Sequence, residues 1–570
     1  MHHHAPHELR NMLIAVGLSV AIMLAWGYFF PAGKDGVTPG GGFAKNEAEQ
    51  RREAAVSPKK TPLKPAPRLK FDSEAASGSI SAKGFRLDDV YLKDYDESAN
   101  RPQDGKVRLL HPDKETFFVE SGLIAGRGHS VQLPGRHALW TVEGNEKLAP
   151  NKPAILTWEK DGVKVRRTVA MKNRYAFVVT DAVTNDTASP FAFSVYGATE
   201  RVVHEEREKK KQQMLVHSGM IAVKDARLET MGFDDVKDVG KAESPGVVGW
   251  TGMTDQYWLA AVVPDQSKRA DIELRYFADR DGFPRAQAGA ISEEITVAPG
   301  ETREYSMTLY AGAKELATLD KVKDDTGAAL FDRAIDFGWV YFLSKPMLKL
   351  LEWLRGVTGN MGLAIIALTV VVRTLLFPLA NKSFVGMRRL KELHPQLEEI
   401  RLRMKHDPLK MNQEVMKLYQ KEKVNPMTSG CLPIFLQFPV FFALYKVLLT
   451  SIEMRYAPFY GWITNLSAPD PTNIFTAFGL LAWYPPAFLH VGALPTVLGV
   501  TMFLQQKLAP PANDETQRKI MSMLPLIFTF FMASFPAGLV LYWTMSNSLS
   551  ILQQYVMLRR FNAKRTPAAK

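Results

Sequence analysis

The chain has 570 residues, with 71 Lys/Arg against 59 Asp/Glu, a formal net charge of +12 and one cysteine. Its length exceeds what one hydrophobic core requires, so several units are expected. The lone Cys431 excludes an intrachain disulfide and a paired-thiol metal or redox site. The basic residues form no stripe interleaved with aromatics, and many flank long apolar runs. This favours a membrane surface over nucleic acid and gives no sign of specific DNA binding.

Residues 11–30 are uncharged over 20 positions, with no A-x-A site after them. The segment 1–30 is read as a retained signal-anchor span, a cleaved signal peptide being the alternative. His2, His3 and His4 are given no metal role. Residues 31–70, rich in Pro, Gly, Lys and Ala, cannot bury a core and predict a flexible linker. Residues 71–330 change texture: Val163, Val165 and Val169 follow an Asp161-Gly162 turn, and Phe177, Val179 and Val183 alternate with polar neighbours. Period-two patterning over many short stretches predicts an all-β sandwich. The run HEEREKKKQQ at 204–213 predicts an exposed loop and lacks the second histidine of a zinc helix.

Residues 331–356 space their apolar side chains as an amphipathic helix lying in the membrane interface, or else one packed on the sandwich. A second span occupies 357–381, where MGLAIIALTVVVRTLLFPLAN is uncharged except for Arg373. Segment 382–428 carries eleven Lys/Arg and six Asp/Glu. In it Leu390, Leu393, Leu397, Ile400 and Met404 mark one helix, and Met411, Val415, Leu418 and Tyr419 a second. His406-Asp407-Pro408 separates them, which predicts a helical hairpin projecting from the membrane. Residues 429–558 supply four more spans. The first covers 428–445, with Lys446 snorkelling at its far end. The next covers about 487–506, after a proline-broken loop or interfacial helix from 473. Two more lie within 520–558, around the Phe535-Pro536-Ala537-Gly538 turn.

Six spans place both termini on one side. The basic hairpin and the basic tail at 559–570 (RRFNAKRTPAAK) make that side cytoplasmic, and the β-domain between spans one and two then lies outside, which in a Gram-negative cell means the periplasm.

No phosphate loop, H-E-x-x-H, G-x-S-x-G or metal-ligand cluster is present, which removes nucleotide hydrolysis and the obvious hydrolases. The spans instead hold scattered polarity. Thr369 lies on the face of Arg373, one turn earlier. Gln437 lies in the third span. Tyr542, Trp543, Thr544, Ser546, Asn547, Ser548, Gln553 and Gln554 lie in the last. Any one of these fits an ordinary interhelical hydrogen bond. Arg373 is different, because no span core offers it an acid. Nine residues from Lys382, it sits about 13 Å inside the cytoplasmic end, at a cost of at least ~2.5 kcal/mol on the insertion scale. A hydrated cavity explains it more directly than snorkelling, since side chains in an inward-running helix tilt toward its outer end.

Three stretches resemble a known family: TVVVRTLLFPL, NPMTSGCLPIFLQFPVFFALYKVLLTSIEMRYAPFYGWITNLSAPDP and MLPLIFTFFMASFPAGLVLYWTMSNSLSILQQ. Together they cover most of residues 331–560 and are similar to the YidC/Oxa/Alb membrane protein insertases, in the Gram-negative YidC form. The resemblance implies a polytopic α-helical membrane protein of six spans, five of them forming the insertase core, with a large periplasmic β-supersandwich and a cytoplasmic hairpin. It implies no catalytic residue, metal or cofactor. It implies a hydrophilic groove lined by Arg373, Thr369, Gln437, Tyr542, Trp543 and Asn547. Trp543 stands where the family often has tyrosine, and Lys446 where an uncharged residue is common. The implied partners are nascent membrane proteins, the lipid bilayer, the Sec translocon, and ribosomes met by the hairpin and basic tail. A transporter or channel for an anionic solute is the alternative, and an envelope scaffold built on the β-domain a third reading.

Overall fold

The computed structural model describes residues 66–565, except 99–104, 113–116, 145–146, 204–215, 280–281, 405, 425–431, 484, 487–488 and 509–514. The expected first span, nearly all of the linker, the HEEREKKKQQ loop and Cys431 lie outside the described residues. The first strand, Arg68–Asp72, begins three residues before the expected domain boundary at 71.

Among the described residues the β-domain is two sheets, of eleven and nine strands. Alternation along each strand explains why they pack face to face. In Val163–Lys172, Val163, Val165 and Val169 are buried, as are Phe177, Val179 and Val183 in the neighbouring Ala176–Asn185. Asp161 and Gly162 both take positive φ, 47° and 78°, and close the two-residue hairpin from Lys160 to Val163. One charge pair sits within this core. Arg167 Nε and Nη2 each reach the Asp181 carboxylate at 2.7 Å from the opposing strand, and Nη1 donates to Ser121 O at 2.9 Å in the other sheet. The guanidinium lies 4.5 Å from the ring centres of both Phe85 and Trp140.

The domain is not wholly β. Two helices interrupt it, α1 (Phe233–Val239) and α2 (Leu316–Thr326). The amphipathic helix expected over 331–356 starts later. Leu330 and Gly338 adopt φ of 57° and 59°, and the chain between makes 3-10 turns in which Phe331 packs edge-on against Trp250 and Tyr310. Only then does α3 (Tyr341–Thr358) run, ending at left-handed Gly359. Asn360 accepts from the N–H groups of Gly362 and Leu363 and starts α4 (Met361–Arg403), which passes residue 381 without a break. Next, α5 (Pro408–Lys421) is capped by Asp407, which accepts from Lys410 N at 3.1 Å, with Pro408 in the first turn. Leu393 and Leu397 of α4 form a small cluster with Val424, against which Val415 and Leu418 of α5 pack. The remaining helices are α6 (Leu432–Thr450), α7 (Ala493–Leu508), α8 (Glu515–Met532) and α9 (Ala537–Arg565). Helix α7 begins at Ala493 rather than about 487, because Asp470 and Thr472 cap it there: Leu494 N donates to Asp470 Oδ2 and Ala493 N to Thr472 Oγ1. Among the described residues α4 alone has both the length and the apolarity to cross a bilayer, while Gln437–Thr450 and Lys519–Met532 are shorter apolar stretches.

Sandwich and helices share one continuous apolar core, and polar ties cross the joint. Lys345 of α3 pairs with Asp332 and, at 2.7 Å, with Asp320 of α2, and Lys349 reaches Asp320 at 2.8 Å. Lys446 of α6 does not snorkel. It is buried, and its ammonium lies 3.3 Å from Asp336, which also accepts from His217 N. Burial alone raises the Asp336 pKa, but the Lys446 charge and that N–H outweigh it and hold it below the usual range. Lys314, fully buried, donates to Thr254 Oγ1 and Ala334 O, and burial pushes it down to about 8 against the pull of Asp255 and Asp336. Glu453, just beyond α6, accepts from Leu316 N at 2.9 Å through Oε1 at the start of α2, while Oε2 is enclosed without a hydrogen-bond donor. Burial and the nearby Glu352 carboxylate raise Glu453 to about 8.

Two predictions follow from these charges. Asp181→Ala strands the buried Arg167 guanidinium and is expected to cost about 3–5 kcal/mol, read as a lowered denaturant midpoint of the full chain in detergent. Glu453 is held protonated in the fold but ionises in the unfolded chain at ordinary carboxylate pH. Its contribution is therefore complete below the unfolded pKa and is lost as pH rises to about 8. Melting temperatures of Glu453→Gln should fall less steeply than those of the parent over that window.

Candidate functional site

The helical half is organised around α9. Its first N–H groups are satisfied by loop carbonyls, Ala537 N to Ala468 O at 2.7 Å and Gly538 N to Leu466 O at 2.9 Å, so the helix end can be buried. A Cβ at Gly538 would sit 2.9 Å from the Leu448 side chain and 3.1 Å from Leu466 O, which explains the glycine at this close approach. One side of α9 then presents Tyr542 and Ser546, spaced one turn apart, with Asn547 beside them, and all three are buried.

Each bonds to a different helix. Gln437 of α6 donates to the Tyr542 hydroxyl. Asn547 Nδ2 lies 3.4 Å from Thr501 Oγ1 of α7. The guanidinium of Arg373, from α4, is half-buried and meets Ser546: Nε donates to Oγ at 2.9 Å, and Nη2 also reaches the same oxygen. Among the described residues no carboxylate approaches Arg373. It holds a neutral partner and keeps a full positive charge inside the bundle.

The other candidates behave differently. Thr369 is fully buried and spends its hydroxyl on its own helix, donating to Ile365 O at 2.7 Å. Trp543 packs edge-on between Phe441 of α6 at 5.1 Å and Phe528 of α8 at 5.5 Å. None of the other five expected site residues hydrogen-bonds to Arg373 among the described residues. Two polar partners had not been singled out for the site, Ser546 and Thr501. Spacing from Tyr542 by one helical turn points to Ser546. Thr501 carries no signal beyond being a small polar residue in a long uncharged run.

Residues 353–564 match the family described as 60Kd inner membrane protein, and residues 68–350 match the YidC periplasmic domain. A membrane protein insertase YidC from Rhizobium meliloti (strain 1021) is 39% identical over 97% of this chain and 96% of its own length. The chain belongs to the YidC family of membrane protein insertases. A relative from Rickettsia rickettsii (strain Sheila Smith), also a membrane protein insertase YidC, is 40% identical over 98% of this chain and 100% of its own. A crystal structure of an active YidC insertase with its first transmembrane domain resolved aligns with 95% of this chain and 99% of that one, at 16% identity and a TM-score of 0.35.

The protein is therefore a membrane protein insertase of the inner membrane, with a β-sandwich periplasmic domain and nascent membrane proteins as substrates. The family is not enzymatic, and its identity replaces the reading as a solute transporter or channel.

The packing of Trp543 yields a measurable distinction. As an aromatic strut between α6, α8 and α9, its replacement in Trp543→Ala should destabilise the insertase by about 3 kcal/mol, whereas Trp543→Tyr should cost less. Thermal unfolding in detergent reads this. An unchanged melting temperature with lost insertion would assign Trp543 to substrate contact instead of packing.

Proposed function

We propose that Arg373 is the charge that receives the translocated tail of a substrate in a hydrophilic groove, with Thr369 one turn earlier on the same helix and Gln437, Tyr542, Trp543 and Asn547 on the surrounding helices. One observation carries this reading: among the described residues the guanidinium is held by a hydroxyl and by no carboxylate. A substrate carboxylate can displace Ser546 from it and add a charge–charge attraction to the hydrogen bond, in surroundings of lower dielectric than water. The substrate's apolar helix then passes into the bilayer beside the groove, and its own burial supplies the free energy.

The chain crosses the inner membrane six times, by residues 1–30, then α4, α6, α7, α8 and α9, and both termini are cytoplasmic. Residues 31–70 form the linker and 71–330 the periplasmic domain. Residues 331–356 lie at the interface, 357–381 form the second span, and 429–558 complete the five-span core. The lysine and arginine excess of segment 382–428 supports a cytoplasmic hairpin from the distal part of α4 together with α5. That hairpin and the basic tail 559–570 are suited to meet ribosomes and, together with the core, the Sec translocon.

Loss of a charge-assisted bond is expected to lower insertion of substrates with acidic translocated tails about tenfold in Arg373→Ala, with much activity kept in Arg373→Lys. Ser546→Asp supplies a resident counter-charge and should impair the same substrates while sparing those with uncharged tails. Reconstituted vesicles and protease protection of the translocated tail measure both. Equal insertion by the parent and Arg373→Ala would remove the arginine from the mechanism.

A further inference from the structure

Ile474 N donates to Val491 O at 2.9 Å and closes a neck after α6 and before α7. The neck is rigid. Asp470 is buried, accepting from Thr472 N through Oδ1 and Leu494 N through Oδ2, and Ala493 N donates to Thr472 Oγ1.

Just beyond the neck the backbone takes an uncommon course. Ala477 (φ 46°, ψ 47°) and Phe478 (φ 60°, ψ 31°) are successive left-handed residues, followed by Gly479 at φ 94°. Residues other than glycine adopt this conformation only where their surroundings over-determine it. Here four bonds do so. Phe475 N donates to Asn473 Oδ1 at 3.0 Å, Phe478 N to Asn473 O at 3.0 Å, Leu481 N to Thr476 O at 3.0 Å, and Gly479 N to Thr476 Oγ1 at 3.2 Å.

The result is that residues 478–483, FGLLAW, are all exposed: Phe478 at 63%, Leu480 at 87%, Leu481 at 56% and Trp483 at 48%. A bonded scaffold that turns large apolar side chains outward is not explained by folding alone.

We propose that residues 478–483 form a stiff apolar prong that enters the headgroup–acyl boundary of the outer leaflet. Three observations select lipid as the occupant. The chain is uncharged from Pro471 through Gln506. The base of the prong meets apolar surface turned outward on a neighbouring helix. Val497, Val500, Phe503 and Leu504 of α7 and Phe530 of α8 are exposed, and Phe475 at the prong base stacks on Phe530 with ring centres 6.4 Å apart. Finally, the exposed residues offer no hydrogen-bonding side chain except the Trp483 indole. A protein partner would demand a polar rim, whereas acyl chains need no directional contacts and tryptophan favours the membrane interface.

The test uses the full chain in vesicles of phosphatidylethanolamine and phosphatidylglycerol. Because Cys431 is the single cysteine, Cys431→Ser gives a background in which Leu480→Cys carries an environment-sensitive fluorophore. Val239→Cys on α1 of the β-domain is the control.

Brominated lipids with shallow bromines should quench the Leu480→Cys label by roughly half, as expected for a segment about 5–10 Å below the surface. Aqueous iodide should leave that label nearly unaffected while quenching the control. The Trp483 signal, taken as the parent minus Trp483→Phe, should respond to brominated lipid in the same way and needs no cysteine. Quenching of both reporters by iodide instead would overturn the proposal. Shielding of both from iodide and bromine alike would also overturn it, pointing to a protein occupant.

Discussion

A guanidinium held by a hydroxyl sets the terms for the helical half of the protein. Two unit charges 4 Å apart interact by about 4 kcal/mol at an effective dielectric of 20, so a resident carboxylate beside Arg373 would hold it in a closed pair. Ser546 accepts from Nε and Nη2 of Arg373 and leaves the charge unspent. The helix that carries Ser546 must then be held by something other than ion pairing. Tyr542 is tied to α6 and Asn547 to α7 by neutral hydrogen bonds, and Trp543 wedges aromatic surface against α6 and α8. Polarity and packing are divided between neighbouring sides of one helix.

Outside that bundle the chain does the reverse and pairs its buried charges. Arg167 is closed by Asp181 within the sandwich, and Lys446 by Asp336 and Lys345 by Asp320 at the joint. Breaking such a pair strands a charge, which makes these positions rigid. The joint also holds two groups whose burial disfavours their charged forms, Lys314 and Glu453, each fixed by a bond to backbone or hydroxyl. With one apolar core running through both halves, the β-domain is braced against the helices rather than tethered to them.

What could be seen in the sequence depended on how local its cause is. Val163, Val165 and Val169 announce their strand because alternation is set by the backbone, and the Asp161-Gly162 turn is written in two adjacent residues. Leu393 and Leu397 betray one helix face for the same reason. Apolar spacing continues through residues 331–340 and hides the start of α3, and only contacts with Trp250 and Tyr310 turn that stretch into 3-10 turns. Helix α2 was missed within a segment read as all strand. The fate of Lys446 was illegible, since its partner Asp336 lies 110 positions earlier in the chain. Arg373 stands out as a cost, but its hydroxyl partner is 173 positions away, and only the one-turn spacing from Tyr542 sets Ser546 apart from the other hydroxyls of the spans.

An arginine used as a receiver has a further requirement: its depth in the bilayer must not drift. A charge-bearing helix free to slide toward water would relieve its own desolvation and lose its attraction for a substrate. Two features oppose such sliding in the proposed arrangement. The Asp320, Asp332 and Asp336 pairs fix α3 and α6 to a folded domain too large and polar to enter the membrane. The apolar prong between α6 and α7 resists movement the other way, because withdrawal would expose Leu480 and Leu481 to water. Bracketed between a polar stop and an apolar one, Arg373 can remain unpaired without the bundle rearranging to hydrate it.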